Sequence, residues 1–178
     1  MSKQLVVVVA GVTCGGKSTI ASKLMKMLDN VNVLHQDEFY YPESSKHLEF
    51  IPELNYHDYD RISAYDMDRM ITAIESNSRS NILVLDGILL LDDVRIINCA
   101  DLKFFFVMDK ESCWSRRKIR TYLPPEPDGY FEKYAWPEYK QHLNRVKETI
   151  PDVIFLNGTD SIEHNVAIVI NKIKNKIN

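Results

Sequence analysis

Apolar residues in this chain gather into short, nearly unbroken runs at positions 5–10, 31–35, 82–85, 104–108 and 153–156. Runs of strand length without polar alternation suit strands covered on both faces, as in a parallel sheet. Helical spacing fills the intervals. Ile20, Leu24 and Leu28 recur one turn apart in segment 18–28, and further helices are predicted over 64–75, 111–122, 137–149 and 162–173. This β–α alternation predicts an α/β fold with three layers, helices on both faces of a five-stranded parallel sheet. No repeat or linker divides the chain, so residues 1–178 are expected to form one domain. Two stretches break the pattern: 40–60, with Pro42 and Pro52, and 123–129, with Pro124, Pro125 and Pro127. In α/β folds such loops, at the carboxyl ends of strands, are where ligands bind.

Composition narrows the classes. The 178 residues are 45% hydrophobic and 26% charged, as in an ordinary globular domain. A net charge of −3, with an isoelectric point near 6.0, gives no global basic field, so a nucleic-acid partner is not expected. Cys14, Cys99 and Cys113 are odd in number and lack metal-ligand spacing, which points to reduced thiols and a cytoplasmic protein. No apolar run approaches the roughly 18 residues that cross a bilayer, so no membrane partner is expected. The first apolar run is read as a buried strand, not a signal segment, because it leads straight into a loop with its own chemistry.

That loop is Gly11-Val12-Thr13-Cys14-Gly15-Gly16-Lys17-Ser18, followed by Thr19. It matches the phosphate-binding pattern G-x-x-x-x-G-K-[ST]. Glycines at its first and sixth positions let backbone N–H groups turn inward onto a polyphosphate. Lys17 adds charge for the outer phosphates, and the Ser18 hydroxyl is a ligand for Mg²⁺. The helix behind it adds the positive end of its dipole.

Two acids follow strands. Asp37, in Gln36-Asp37-Glu38-Phe39-Tyr40, is placed to bind a metal or accept a proton from an attacking hydroxyl. Asp86, before Gly87, stands where a Walker B acid would. Segment 37–60 holds seven acids (Asp37, Glu38, Glu43, Glu49, Glu53, Asp58 and Asp60) against one base, Lys46. A phosphorylated acceptor would need Arg or Lys here, so the acceptor is expected to be neutral or cationic. The balance reverses at Arg116-Arg117-Lys118-Ile119-Arg120, ahead of Tyr122-Leu123-Pro124-Pro125, which suits a small lid over residues 115–135. Tyr56, Tyr59, Tyr122 and Tyr130 lie in the same loops and are candidates to stack on a planar, preferably cationic, ring.

Together these residues resemble the nicotinamide riboside kinases, small relatives of uridine kinase. The resemblance runs through Gly-Val-Thr-x-x-Gly-Lys at 11–17, Gln-Asp-x-Phe at 36–39, and Tyr59-Asp60 ahead of Met67. It continues through Asp86-Gly87, Arg116-Arg117, Arg120-Thr121-Tyr122, Pro124-Pro125, Gly129-Tyr130-Phe131, Trp136-Pro137 and Gly158-Thr159. It implies a P-loop kinase fold that phosphorylates the 5′-hydroxyl of nicotinamide riboside, and of nicotinic acid riboside, for NAD biosynthesis. ATP would be co-substrate, Mg²⁺ the cofactor, and the monomer the working form. By resemblance Asp37 is the catalytic base and, with Ser18, a magnesium-site residue, with Asp86 a further candidate. Tyr59 and Tyr122 would sandwich the pyridinium ring, and Asp60 and Arg117 would hold the ribose. Glu38, Phe39 and Tyr40 of the acceptor-binding segment 37–60, and Leu123 of the lid, would complete the acceptor site. Arg116, Arg120 and Thr121 would reach ATP, with Asp160-Ser161-Ile162 against adenine. Asp86 stands where the family would have Glu, Glu38 where a second Asp is common, and Cys14 where a polar residue is usual. The alternatives are a kinase for another nucleoside such as uridine, and a nucleotide-driven switch. For a GTP switch the guanine-reading motif is missing, since Asn171-Lys172-Ile173-Lys174 lacks its final acid.

Overall fold

A computed structural model describes residues 3–77 and 79–177. Five strands build the main sheet: β1 (Leu5–Gly11), β2 (Val31–His35), β5 (Ile82–Asp86), β6 (Leu102–Val107) and β7 (Val153–Asn157). They run parallel in the order β2-β5-β1-β6-β7. Between β2 and β5 lies a two-residue hairpin of β3 (Phe50–Ile51) and β4 (Tyr56–His57). The three inner strands are apolar because both their faces are covered. Val7, Val8, Val9, Leu83, Val84, Leu85 and Phe104–Phe106 are fully buried.

Helix α1 (Lys17–Met27) packs against β2 and against the last helix, α6 (Ile162–Ile177). Alternation along β6 sends Phe105 toward α5 (Trp136–Thr149), where it stacks on Tyr139 with ring centroids 6.4 Å apart. The expected three-layer α/β/α architecture is thus present, with the glycine loop at the carboxyl end of the central strand.

The differences from the sequence expectation have local causes. The outer strands β2 and β7 are not covered on both faces; Phe155 remains partly exposed, as edge strands allow. Helix α2 (Met67–Ser76) begins three residues later than residue 64. Asp66 accepts a hydrogen bond from the Arg69 N–H at 2.9 Å and so fixes the start. Helix α4 (Lys110–Arg117) stops five residues short of 122, since Ile119 beyond it is 79% exposed and has nothing to pack on. There the Arg120 N–H turns back to the Arg117 carbonyl at 3.0 Å. Helix α6 runs on to residue 177, its last turn carrying Lys174 and Lys176 at the negative end of the dipole. The six-residue α3 (Val94–Cys99), capped by Asp93, and the β3–β4 hairpin are too short to show a period.

Candidate active site

At the end of β1 the backbone makes two turns that only glycine takes without strain. Gly11 has φ of +109°, and a Cβ there would stand 2.4 Å from the Phe106 carbonyl oxygen; Gly16, at +97°, is the N-cap of α1. The Val12 N–H donates to the Phe106 carbonyl at 3.0 Å, tying the loop to β6. The first helical bond of α1 comes from the Ile20 N–H to Gly16 at 3.0 Å, which leaves the N–H groups of Gly16, Lys17, Ser18 and Thr19 for an anion. Lys17 is buried, and its ammonium donates to the Val12 carbonyl at 2.7 Å. Burial lowers its pKa, while the charges of Asp86 and Asp37 pull in the opposite direction.

Asp37 enters from the 3₁₀ turn Gln36–Phe39 that ends β2. Gln36 locks that turn by accepting the Leu89 N–H at 3.0 Å, and Gly87 beside it leaves room for the amide. Burial raises the Asp37 pKa; the Lys17 charge works against that rise and Asp86 adds to it. Asp86, 4% exposed at the end of β5, faces its register partner His35 across the β2–β5 pair, with His35 Nδ1 2.8 Å from its Oδ2.

Lys17, Ser18, Asp37 and Asp86 line one cavity of about 380 Å³ together with Tyr40, Tyr59, Asp60, Arg117, Tyr122 and Leu123. A cleft of about 330 Å³, lined by Cys14–Thr19, Arg116 and Arg120, shares Cys14, Lys17, Ser18 and Arg120 with it. The loop, both strand-end acids, the acceptor segment and the lid therefore converge. Arg117 carries much of that convergence. It is 4% exposed, and its guanidinium donates to Asp60 at 3.1 Å and to Glu126 at 2.9 Å. Burial alone would lower its pKa; Asp60 and Glu126 outweigh burial and raise it. The same guanidinium lies 5.2 Å from the centroid of Tyr122. Arg120 covers Tyr122 at 5.3 Å. The Tyr122 hydroxyl reaches Cys14 Sγ at 3.8 Å, and burial raises its pKa to about 12.

Other expected site residues stand differently. Tyr56 and Tyr130 are not exposed platforms; both are buried. The Tyr130 hydroxyl accepts the N–H groups of Tyr59 at 2.9 Å and Asp60 at 3.1 Å, and donates to Asp58 at 3.0 Å. It pins the lid to the acceptor segment. Glu38 points to solvent and Phe39 into the core, and neither lines the cavity. Thr121 lines neither space, and nor do Asp160, Ser161 and Ile162. Ile162 instead abuts the glycine loop, 3.3 Å from where a Gly16 Cβ would be. Arg116 lines the cleft while its Nη1 donates to the carbonyls of Gly158 at 2.9 Å and Cys14 at 3.2 Å. Gly11 and Val12 shape the loop from behind. Sequence reasoning missed Glu126 and His35, and it gave Tyr130 a stacking role where the hydroxyl instead bonds Asp58, Tyr59 and Asp60; the partners of His35 and Tyr130 lie 51 and about 70 residues away.

The oxygen donors Ser18, Asp37 and Asp86 fit Mg²⁺, a hard ion held by one or two carboxylates, waters and substrate phosphates. Among the described residues no group of three His, Cys, Asp or Glu forms a ready-made metal cage. Nor is any described helix long and apolar enough to cross a membrane.

A phosphate loop facing a second, acid-lined cavity under an arginine-bearing lid defines a P-loop kinase. The fold agrees: thymidylate kinase from Candida albicans superposes with a TM-score of 0.63 at 13% identity, covering 99% of this chain and 94% of that one. The model of the AAA domain family matches residues 7–137. In sequence the chain is 31% identical to nicotinamide riboside kinase 1 of Mus musculus, over 98% of this chain and 96% of that protein. It is 30% identical to nicotinamide riboside kinase 1 of Homo sapiens, over 90% and 87%. The chain belongs to the nicotinamide riboside kinase family.

Proposed function

We propose that this protein transfers the γ-phosphoryl group of ATP to the 5′-hydroxyl of nicotinamide riboside, giving nicotinamide mononucleotide and ADP for NAD biosynthesis. The observation that carries this is the shared cavity, which joins the phosphate-loop Lys17 and Ser18, the carboxylate of Asp37 on its open wall, the Asp60–Arg117 pair and the rings of Tyr59 and Tyr122.

The loop amides, Lys17, Arg116 and Arg120 hold the triphosphate in the cleft. Ser18 and Asp37, with Asp86 as a further candidate, would hold Mg²⁺ together with the nucleotide, and the ion would neutralise charge on the phosphates. Asp60 and Arg117 orient the ribose hydroxyls, and Tyr59 from the acceptor segment and Tyr122 from the lid take the two faces of the ring. The ribose 5′-oxygen attacks the γ-phosphorus in line; its bond to the β,γ-bridging oxygen breaks, and ADP leaves. Asp37 accepts the hydroxyl proton. Its raised pKa makes it a better proton acceptor than an ordinary carboxylate. Lys17 and the lid arginines stabilise charge on the oxygens of the transferring group, with water kept out by the lid. All of these groups come from one chain, which suits a monomer. A coupled assay for ADP release over a panel of nucleosides tests the proposal. Turnover is expected with nicotinamide riboside, and turnover with uridine alone would refute it.

A further inference from the structure

The cavity is lined by five carboxylates (Asp37, Glu43, Asp60, Asp86 and Glu126) and three fixed cations, Lys17, Arg117 and Arg120. Four of the five acids are accounted for. Asp60 and Glu126 pair with Arg117, Asp86 pairs with His35, and Asp37 lies in the field of Lys17. Glu43 is different. Among the described residues its one hydrogen bond comes from the Tyr59 hydroxyl, 3.2 Å from Oε1, and it enters no ion pair. The bond fixes the carboxylate at the edge of the Tyr59 ring, on the exposed rim of the cavity. Burial and then the Glu43 charge raise the Tyr59 pKa to about 12, so the phenol stays neutral and remains the donor of this bond.

A ring lying on Tyr59 therefore meets one uncompensated negative charge at that edge. We propose that Glu43 is a specificity-determining residue, selecting a cationic pyridine riboside whose ring substituent is an uncharged carboxamide over one whose substituent is a carboxylate. The inference rests on the riboside kinase function proposed above. Glu43 attracts the ring cation in both compounds, and the carboxylate of the second cancels that attraction by facing a like charge. Because Glu43 is exposed and screened, the effect is modest in size and sensitive to salt.

The test compares wild type with Glu43→Gln, using nicotinamide riboside and nicotinic acid riboside as substrates. Wild type is expected to favour the carboxamide by a kcat/KM ratio about two- to fivefold larger than that of Glu43→Gln. Raising the ionic strength from about 0.05 M to about 0.5 M should bring the wild-type ratio toward that of the variant. A ratio unchanged by the substitution, or a change indifferent to salt, overturns the role of Glu43 while leaving the kinase assignment standing. Failure of wild type to phosphorylate either riboside, with uridine turned over, overturns both.

Discussion

Replacing Asp37 by Asn separates chemistry from folding. Asp37 lines the cavity beside Lys17 and Ser18; desolvation and Asp86 disfavour its charged form, while Lys17, Arg120 and His35 favour it, and the net shift is upward. Asn keeps the shape and loses the proton acceptor, so kcat is expected to fall roughly 10²–10⁴-fold, about 2.7–5.4 kcal/mol in activation free energy. Stability is expected to go the other way. A carboxyl whose folded pKa is raised binds more protons folded than unfolded, so it costs stability as pH rises above its unfolded value. That cost is complete above the folded Asp37 pKa and Asn removes it, so there the variant's Tm should equal or exceed that of wild type. Binding of ATP through the intact loop should change by less than about threefold. In wild type, kcat should decline as pH falls through the folded Asp37 pKa, above the ordinary carboxylate range, and the variant should lack that limb. Steady-state kinetics across pH, a thermal melt and calorimetric ATP titration give all the readouts. Near-normal kcat in the folded variant refutes the assignment of Asp37 as base. A lower Tm with unchanged kcat would make it a structural residue.

Two more substitutions probe the supports of the site. Arg117→Met strands the carboxylates of buried Asp60 and half-buried Glu126, at a cost of about 3–5 kcal/mol and a Tm loss of roughly 6–20 °C; a loss under about 2 °C contradicts the network. His35→Ala removes the donor that holds Asp86 and should lower kcat roughly tenfold, with partial recovery in His35→Asn, which keeps a donor. Equal kcat in all three forms would show that His35 does not act through Asp86.

The strands were legible because burial on both faces leaves an uninterrupted apolar signature; Ile82–Asp86 and Leu102–Val107 fall within two residues of their expected places. Helix ends were less so, since Asp66 and Ile119 set them through capping and a lack of packing surface. The glycine loop was explicit, its spacing being the chemistry. Acidic segment 37–60 showed its charge but not its division of labour. Asp58 and Glu49 pair with Arg61, and Glu53 accepts the Tyr134 hydroxyl, whereas Asp37, Glu43 and Asp60 face the cavity. Pairs such as Arg117–Asp60 and Tyr130–Asp58, 57 and 72 residues apart, exist only once the chain is folded, and no local pattern announces them.

The substrate assignment turns on the positive charge of the ring that we propose lies between Tyr59 and Tyr122. Chemical reduction of the pyridinium to the uncharged dihydropyridine keeps the ribose and nearly the same ring size while deleting the cation. Cation–π attraction contributes about 0.5–2 kcal/mol, so kcat/KM should favour the charged riboside by about two- to thirtyfold. Tyr59→Ala should narrow that preference and leave ATP affinity nearly unchanged. Equal phosphorylation of the charged riboside, its reduced form and uridine by the wild-type enzyme would contradict the account.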